Sequence, residues 1–447
     1  MDFIVSIFNA ISGAGSTVVM PIIIALIGII MGAGVGKSVR GGLMVGVGLM
    51  GLSLATGLMG EMATAVSSMS TRFGLSLSTI DIGWPAAAAI GNATTVGTLI
   101  IPVCLAVNVV LLLIGATQTA DIDIWNYWHF AFTGSLITCV TGSLPLGLVG
   151  AICNEVIVLV LGDITAPLAE ESLGMPGVSI PHGFTAAFVP FALILNWIIE
   201  KIPGLNKVDF TLDGLQEKIG IFGEPIIVGF ILGLVIAILG GYNVSSALSC
   251  AVTMAATMVL IPRMAALLME GLMPISDAAG AFIDKHFAGR GKIYIGLDSA
   301  VGVGHPMTIA LGLLCVPIIV LLAAILPGNT VIPAVDLSVL PYVFVLVLPI
   351  CKGNGFRSFV VGLICCILGL YIATDLAEPI TTVAKSIGFD MGGATSISSI
   401  CDGANPLTWA LFKLSGFGTT VSMIIFIAIA VGCAAYNFIR IKKLSNK

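Results

Sequence analysis

Charge is what this chain has least of. Asp, Glu, Lys and Arg make up 9% of its 447 residues, against 58% hydrophobic. A soluble domain of that size could not keep its surface in water with so few charges, which excludes a soluble enzyme or binding module. No basic face exists for nucleic acid. A P-loop, a Rossmann fingerprint, a zinc-type Cys/His spacing and a nucleophile–base pair are all missing from the sequence. With no nucleotide domain, ATP-driven transport by this chain alone is excluded. The ten cysteines are scattered through apolar segments, Cys365-Cys366 being the single adjacent pair. Without a CxxC they read as small apolar residues rather than a redox or metal site. No metal and no cofactor is expected. No cleavable signal peptide is expected either, because residues 1–16 lack a basic start and Ser12-Gly-Ala-Gly15 runs directly into an apolar span ending near Met31.

What is present is apolar and long. Hydrophobic runs lie near 17–36, 42–60, 95–116, 131–161 (one element or two), 184–200, 225–241, 246–262, 305–326, 338–351, 356–374 and 418–439. At about 20 residues per crossing, these runs predict an all-α polytopic membrane protein with roughly ten to twelve membrane elements. A membrane β-barrel would instead alternate polar and apolar residues in short segments. Lys37 and Arg40 follow the first span and Arg440-Ile-Lys-Lys443 follows the last. The positive-inside rule then places the N-terminus outside and the C-terminus in the cytoplasm. The chain reads as one membrane-embedded domain over 1–447. Its halves are 1–200 and 220–439, with a cytoplasmic connector at 200–220 and a cytoplasmic tail at 440–447.

Two stretches are too polar to be ordinary spans. In 61–94 an amphipathic segment from Glu61 to Phe73 leads into Asp81-Ile-Gly-Trp-Pro85, then Ala86-Ala-Ala-Ala-Ile-Gly91. The stretch 274–304 carries Asp277, Asp284, Lys285, His286, Arg290 and Lys292 before Gly296-Leu-Asp298. Asp81 and Asp298 are 217 positions apart (298 − 81), and Pro102 and Pro317 of the following spans are 215 apart (317 − 102). Two half-polar segments in corresponding halves are the expected sign of paired re-entrant hairpins at a midplane site. Chance similarity among small residues is the other reading, and both stay open here.

An ionisable group inside a membrane is costly, so each one is a candidate functional residue. Asp81 is followed by Gly83 and Pro85, which break helix and free backbone to line a cavity. Trp84 could stack on the C–H face of a sugar or polyol, or serve as a belt tryptophan. Trp125 and Trp128, taken alone, read as interface anchors. His129 and Thr133 stand at i and i+4 on one helical face, and both can donate and accept hydrogen bonds. In Ile180-Pro-His182-Gly183 a kinked helix entry pointing the imidazole inward and a plain helix start are both open. Glu224 precedes Pro225 at the start of a span, where it complements the helix dipole; it is a second-tier candidate. Asp402, in Cys401-Asp-Gly-Ala-Asn405-Pro406, has the same style as Asp81 and also fits a loop turn.

In order along the chain, Asp81-Ile-Gly-Trp-Pro85, Asp123-Ile-Trp-Asn126, Trp128-His129, Phe132-Thr-Gly134, Ile180-Pro-His-Gly183, Ile198-Ile-Glu-Lys-Ile-Pro-Gly204, Phe222-Gly-Glu-Pro225, Val228-Gly-Phe230, Gly296-Leu-Asp298 and Pro327-Gly-Asn329 together resemble the galactitol-type enzyme IIC of the bacterial phosphoenolpyruvate-dependent phosphotransferase system. The resemblance implies about eleven transmembrane helices in inverted repeats with two re-entrant hairpins. It also implies a homodimer, and a scaffold with a mobile core that moves like an elevator. It implies a location in the bacterial inner membrane, a sugar or polyol substrate, and cytoplasmic IIB and IIA partners. Carried over by motif, the substrate-binding positions are Asp81, Ile82, Gly83, His129, Thr133, His182, Gly183 and Asp298, to which the residues themselves add Trp84 and Glu224. Thr133 and Gly183 stand where ascorbate-type relatives have amides, which argues against ascorbate. Lys352-Gly-Asn354 and the segment after Asp402 also depart from the galactitol pattern, and this touches the identity of the polyol. Phosphorylation is expected from the IIB partner, with no phosphoryl-carrying residue here. Two rivals remain at this level. One is an ion-coupled secondary transporter with Asp81 and Asp298 as proton or sodium sites. The other is an intramembrane enzyme using His129 and His182 as acid and base.

Overall fold

Proline and small polar side chains set where the helices begin. Pro85, Pro145, Pro190, Pro341 and Pro406 each stand in the first turn of a helix, where the missing N–H is no loss. Thr94, Ser143, Asn354 and Asn405 each accept a hydrogen bond from a backbone N–H of the first turn, satisfying donors that have no partner within the helix. Gly142 and Gly174 end their helices in the left-handed conformation, at φ 67° and 66°.

The structure is a computed structural model and describes residues 16–58, 64–65, 68–69, 71–74, 77–205, 208–209, 224–287, 293–303 and 305–445. The elements of the first half are α1 Ser16–Ile30, α2 Val35–Gly57, β1 Thr79–Asp81, α3 Trp84–Asn92, α4 Thr95–Leu113, β2 Thr119–Asp121, α5 Tyr127–Thr141, α6 Leu144–Leu173, β3 Val178–Ser179, α7 Gly183–Ala187 and α8 Val189–Lys201. Those of the second half are α9 Pro225–Leu239, α10 Val244–Phe287, β4 Tyr294–Gly296, α11 Ala300–Val303, α12 Pro306–Ile325, β5 Val331–Ile332, α13 Leu340–Ile350, α14 Gly355–Asp375, α15 Ala377–Ser386, β6 Ile397–Ser398, α16 Pro406–Leu414 and α17 Thr419–Ser445. Four described helices are long and apolar enough to cross a membrane: Thr95–Leu113, Leu144–Leu173, Gly355–Asp375 and Thr419–Leu444. The run 131–161 is two helices, α5 and α6. Most of the connector 200–220, the segment Glu61–Ala63 and the residues Arg290 and Lys292 lie outside the described residues.

The stretch 274–304 differs from its expectation. Its first part continues the apolar span before it, so that α10 runs 44 residues without a break. Asp277, Asp284 and Lys285 are thus helical rather than part of a hairpin loop. The next described residues, from Ile293, lead into β4.

Packing sorts the helices. α1, α2, α9 and α10 pack on one another, α10 touching the other three. α5, α6 and α17 pack together, as do α12, α13 and α14. Between them lie two small parallel sheets that exchange strands between the halves. β1 of the first half sits between β5 and β6 of the second. β4 of the second half sits between β2 and β3 of the first. Four of the six strands, β1, β2, β5 and β6, are wholly buried, and backbone leaving the helical pattern at this depth needs such a partner ladder. The carboxylate of Asp163 on α6 adds to the ladder: it accepts from Thr117 Oγ1 at 2.9 Å, Gln118 N at 2.9 Å, Thr119 Oγ1 at 2.6 Å and Asn437 Nδ2 of α17 at 2.6 Å. This carboxylate holds β2 to two long helices.

Candidate functional site

Each strand of the two sheets runs straight into a turn and then a helix, so the residues just past the strands meet between the sheets. After β1 comes Trp84, after β2 Trp125 and Trp128, after β3 His182, after β4 Asp298, after β5 Val339 and Tyr342, after β6 Cys401. These eight line one small cavity. Its free space is about 20 Å³, room for about one water. A hexitol would therefore have to displace side chains or a segment to enter.

One wall is aromatic. Trp84 lies 6.2 Å from Trp125, edge to face, and 6.3 Å from Trp128. Trp125 and Trp128 are buried, 6% and 3% exposed, which corrects their reading as interface anchors. The short 3-10 turn Ile124–Asn126 turns both inward. His182 and Asp298 bring an imidazole and a carboxylate to the lining. His182 Nε2 lies 3.1 Å from His129 Nε2 and 3.7 Å from Asp298 Oδ2. His129 sits behind His182, and its Nδ1 lies 2.8 Å from Asp402 Oδ2. A lone imidazole buried this deeply would be costly, and the chain of partners relieves it.

Three devices hold these side chains. His182 caps α7, its Nδ1 accepting from Thr185 N at 3.3 Å. Asp298 Oδ1 accepts from Ala300 N at 2.7 Å, and Asp298 N donates to Asp123 Oδ2 at 3.2 Å. Gly183 must be glycine, because a Cβ there would collide with the Cβ and ring of His129.

Other expected positions lie near the cavity but not on its wall. Asp81 is fully buried and used by backbone. Its Oδ2 accepts from Ala334 N and Asp336 N, both at 2.9 Å, and its Oδ1 from Gly83 N at 3.1 Å and Ile400 N at 3.4 Å. Asp336 mirrors it, accepting from Trp84 N at 2.6 Å, Ser399 Oγ at 2.6 Å and Cys401 N at 3.0 Å. Ile82 is buried and its N–H extends the ladder to Ser398 O at 2.9 Å. Gly83 has φ 84°, and a Cβ there would strike Val335, so the turn that presents Trp84 requires glycine. Thr133 donates to His129 O at 3.1 Å, accepts from Asn154 Nδ2 at 2.7 Å and lies 2.8 Å from Thr408 Oγ1. It braces the helix that carries His129. Glu224 is exposed at the start of α9 and makes no side-chain cap; the structure does not bring it to the others.

Around the cavity the structure adds Asp336 and Tyr342, which the sequence does not single out, gives Asp123, seen there only as part of a motif, the backbone of Asp298 as partner, and sets Asp402 on His129. Tyr342, whose ring lies 5.7 Å from that of His182, carries a signal: it is the single tyrosine in the apolar run 338–351. Asp402 carried the same signal as Asp81, an acid beside a helix breaker.

A family model described as the sugar-specific permease component of the PTS system matches residues 10–394. The galactitol-specific EIIC component of Escherichia coli (strain K12) is 37% identical over 401 residues, 90% of this chain and 88% of its own length. The protein of that name from Escherichia coli O157:H7 matches to the same extent. A further Escherichia coli (strain K12) protein, named provisionally as a permease IIC component, is 39% identical over 442 residues, 98% of this chain and all of its own length.

Proposed function

The chain belongs to the sugar-specific permease components of the phosphotransferase system, the IIC family, and on that premise we propose that it binds galactitol between its two sheets and carries it across the bacterial inner membrane. A separate cytoplasmic IIB subunit, charged by IIA, phosphorylates it there. One observation carries the reading: one cavity is lined both by an imidazole and a carboxylate, His182 and Asp298, and by the indoles of Trp84, Trp125 and Trp128. Hydroxyls want the first kind of wall and a carbon skeleton the second. A site that pairs hydroxyls rejects analogues lacking them, because its buried polar groups would be left alone.

In this reading His182, Asp298 and Trp84 touch the substrate. His129 stands directly behind His182, within reach of a hydroxyl that parts the two rings; Thr133, Gly183, Asp81, Ile82 and Gly83 shape the wall around them, and Glu224 stays outside. The halves 1–200 and 220–439 are inverted repeats, with about eleven crossings, the N-terminus outside and the connector and the tail 440–447 in the cytoplasm. Two copies form a dimer through a scaffold made of α1, α2, α9 and α10. The sheets and the helices around them move past it as an elevator core. The exchange of strands between the halves and the separate packing of those four helices support this division.

The test is binding without phosphorylation. Galactitol should change the tryptophan fluorescence of the purified protein, since three indoles face the cavity. Asp298→Asn should abolish that response while the variant elutes and melts as the wild type does. Wild-type affinity in Asp298→Asn would remove Asp298 from the site. A wild-type response to another hexitol and none to galactitol would change the substrate and keep the cavity.

A further inference from the structure

The protons of the buried histidine pair are placed by their neighbours. Thr185 N–H donates to His182 Nδ1 at 3.3 Å, so that nitrogen is an acceptor and a neutral His182 carries its hydrogen on Nε2. On the other side, Asp402 Oδ1 accepts from Asn405 Nδ2 at 3.1 Å and Oδ2 faces His129 Nδ1 at 2.8 Å. A carboxylate there takes a hydrogen from Nδ1 and leaves His129 Nε2 bare. The 3.1 Å contact between the two Nε2 atoms then runs one way: His182 donates and His129 accepts. The chain from Thr185 through His182 and His129 to Asp402 has a single direction.

We propose that a substrate hydroxyl replaces the bond between the two histidines, and that His129 is the base that takes its proton when the hydroxyl is phosphorylated. This rests on the phosphotransferase reading above and adds to it a residue for the chemical step. The cavity abuts His182, and parting the rings by the width of one oxygen opens His129 Nε2 to it. The hydroxyl donates to His129 Nε2 and accepts from His182 Nε2–H, while Asp298 Oδ2 is free for a neighbouring hydroxyl. In the step itself the hydroxyl oxygen bonds to phosphorus as the bond from phosphorus to the phosphorylated carrier protein breaks. The carrier's donor atom leaves with the electron pair, and the hydroxyl proton passes to His129 Nε2. His129 is fully buried and His182 is 5% exposed, and His129 Nε2 is the acceptor that the direction of the chain leaves for that proton. Asp402 is a positioning residue: it fixes the tautomer and neutralises the imidazolium. The Trp128 ring, 4.0 Å from that of His129, gives the new cation an aromatic face.

The experiment measures sugar phosphorylation in sealed vesicles with the full soluble relay, and binding by fluorescence without it, for the wild type, His129→Gln and Asp402→Asn. A positioned base contributes about 100-fold or more, so kcat should fall by about that factor while binding weakens far less, because glutamine at 129 keeps an acceptor for the hydroxyl. Loss of kcat with an equal loss of binding would make the pair a binding device only, and unchanged kcat would remove the base; either overturns the proposal. Should both variants fail to accumulate, single-turnover phosphorylation by the wild type in D2O decides: slowing supports proton transfer in the step, and an unchanged rate overturns it. The substrate used is whichever member of a hexitol and hexose panel the wild type phosphorylates. Failure of galactitol alone strikes the substrate assignment and leaves the comparison of variants intact. Turnover of none overturns the functional reading and this proposal together.

Discussion

Acids of the same style do different work in this chain. Asp298 faces the cavity, Asp402 holds a histidine, and Asp81 and Asp336 gather backbone N–H groups from both halves. Each buried donor left without an acceptor costs about 1–3 kcal/mol. Asp81→Ala strands the N–H groups of Ala334, Asp336 and Gly83 and is expected to lower the melting temperature in detergent far more than Asp81→Asn, which keeps one acceptor oxygen. Unchanged melting with lost galactitol binding would instead make Asp81 a ligand. Gly183→Ala pushes a methyl into the His129 ring and should abolish binding in a protein that still reaches the membrane; normal binding would mean the ring has room to yield. His129, His182, Asp298 and Trp84 were legible because a polar or amphipathic side chain in an apolar run has few uses. Which acid lines the cavity and which gathers backbone was not legible. That depends on the donors facing it, and for Asp81 two of them, Ala334 and Asp336, lie 253 and 255 positions away in the sequence.

At the scale of elements, the long apolar helices follow from hydropathy and the strands do not. A strand of two or three residues is too short to show a period of two. Its partners also come from the other half of the chain: Thr79 pairs with Val331 and Ile80 with Ile397. The extent of α10 differs for a related reason: its charges read as a break, while Asp277 and Lys285 stand exposed on the helix. Asp163 ties β2 to α6 and α17 through four hydrogen bonds. Asp163→Ala should loosen that strand and with it the Trp125–Trp128 turn, raising the Kd for galactitol and lowering the melting temperature together. An unchanged Kd would show that the turn is held by its own packing.

At the scale of the molecule, four helices pack as one group and the two sheets lie within another. If the second group moves past the first during transport, a disulfide engineered across α2 and α3, which touch between the groups, should stop uptake and leave fluorescence-detected binding intact. Reduction should restore uptake, and uptake undiminished by the bridge would rule out that movement. The division was not visible in the sequence, because both groups share one apolar composition and differ only in what they touch. The most direct test of the account as a whole is galactitol uptake into sealed membrane vesicles, with and without phosphoenolpyruvate and the soluble relay proteins, scoring the chemical form of the product. Galactitol phosphate accumulating only with the full relay is the expected result. Unmodified galactitol concentrated by an ion gradient alone would contradict it.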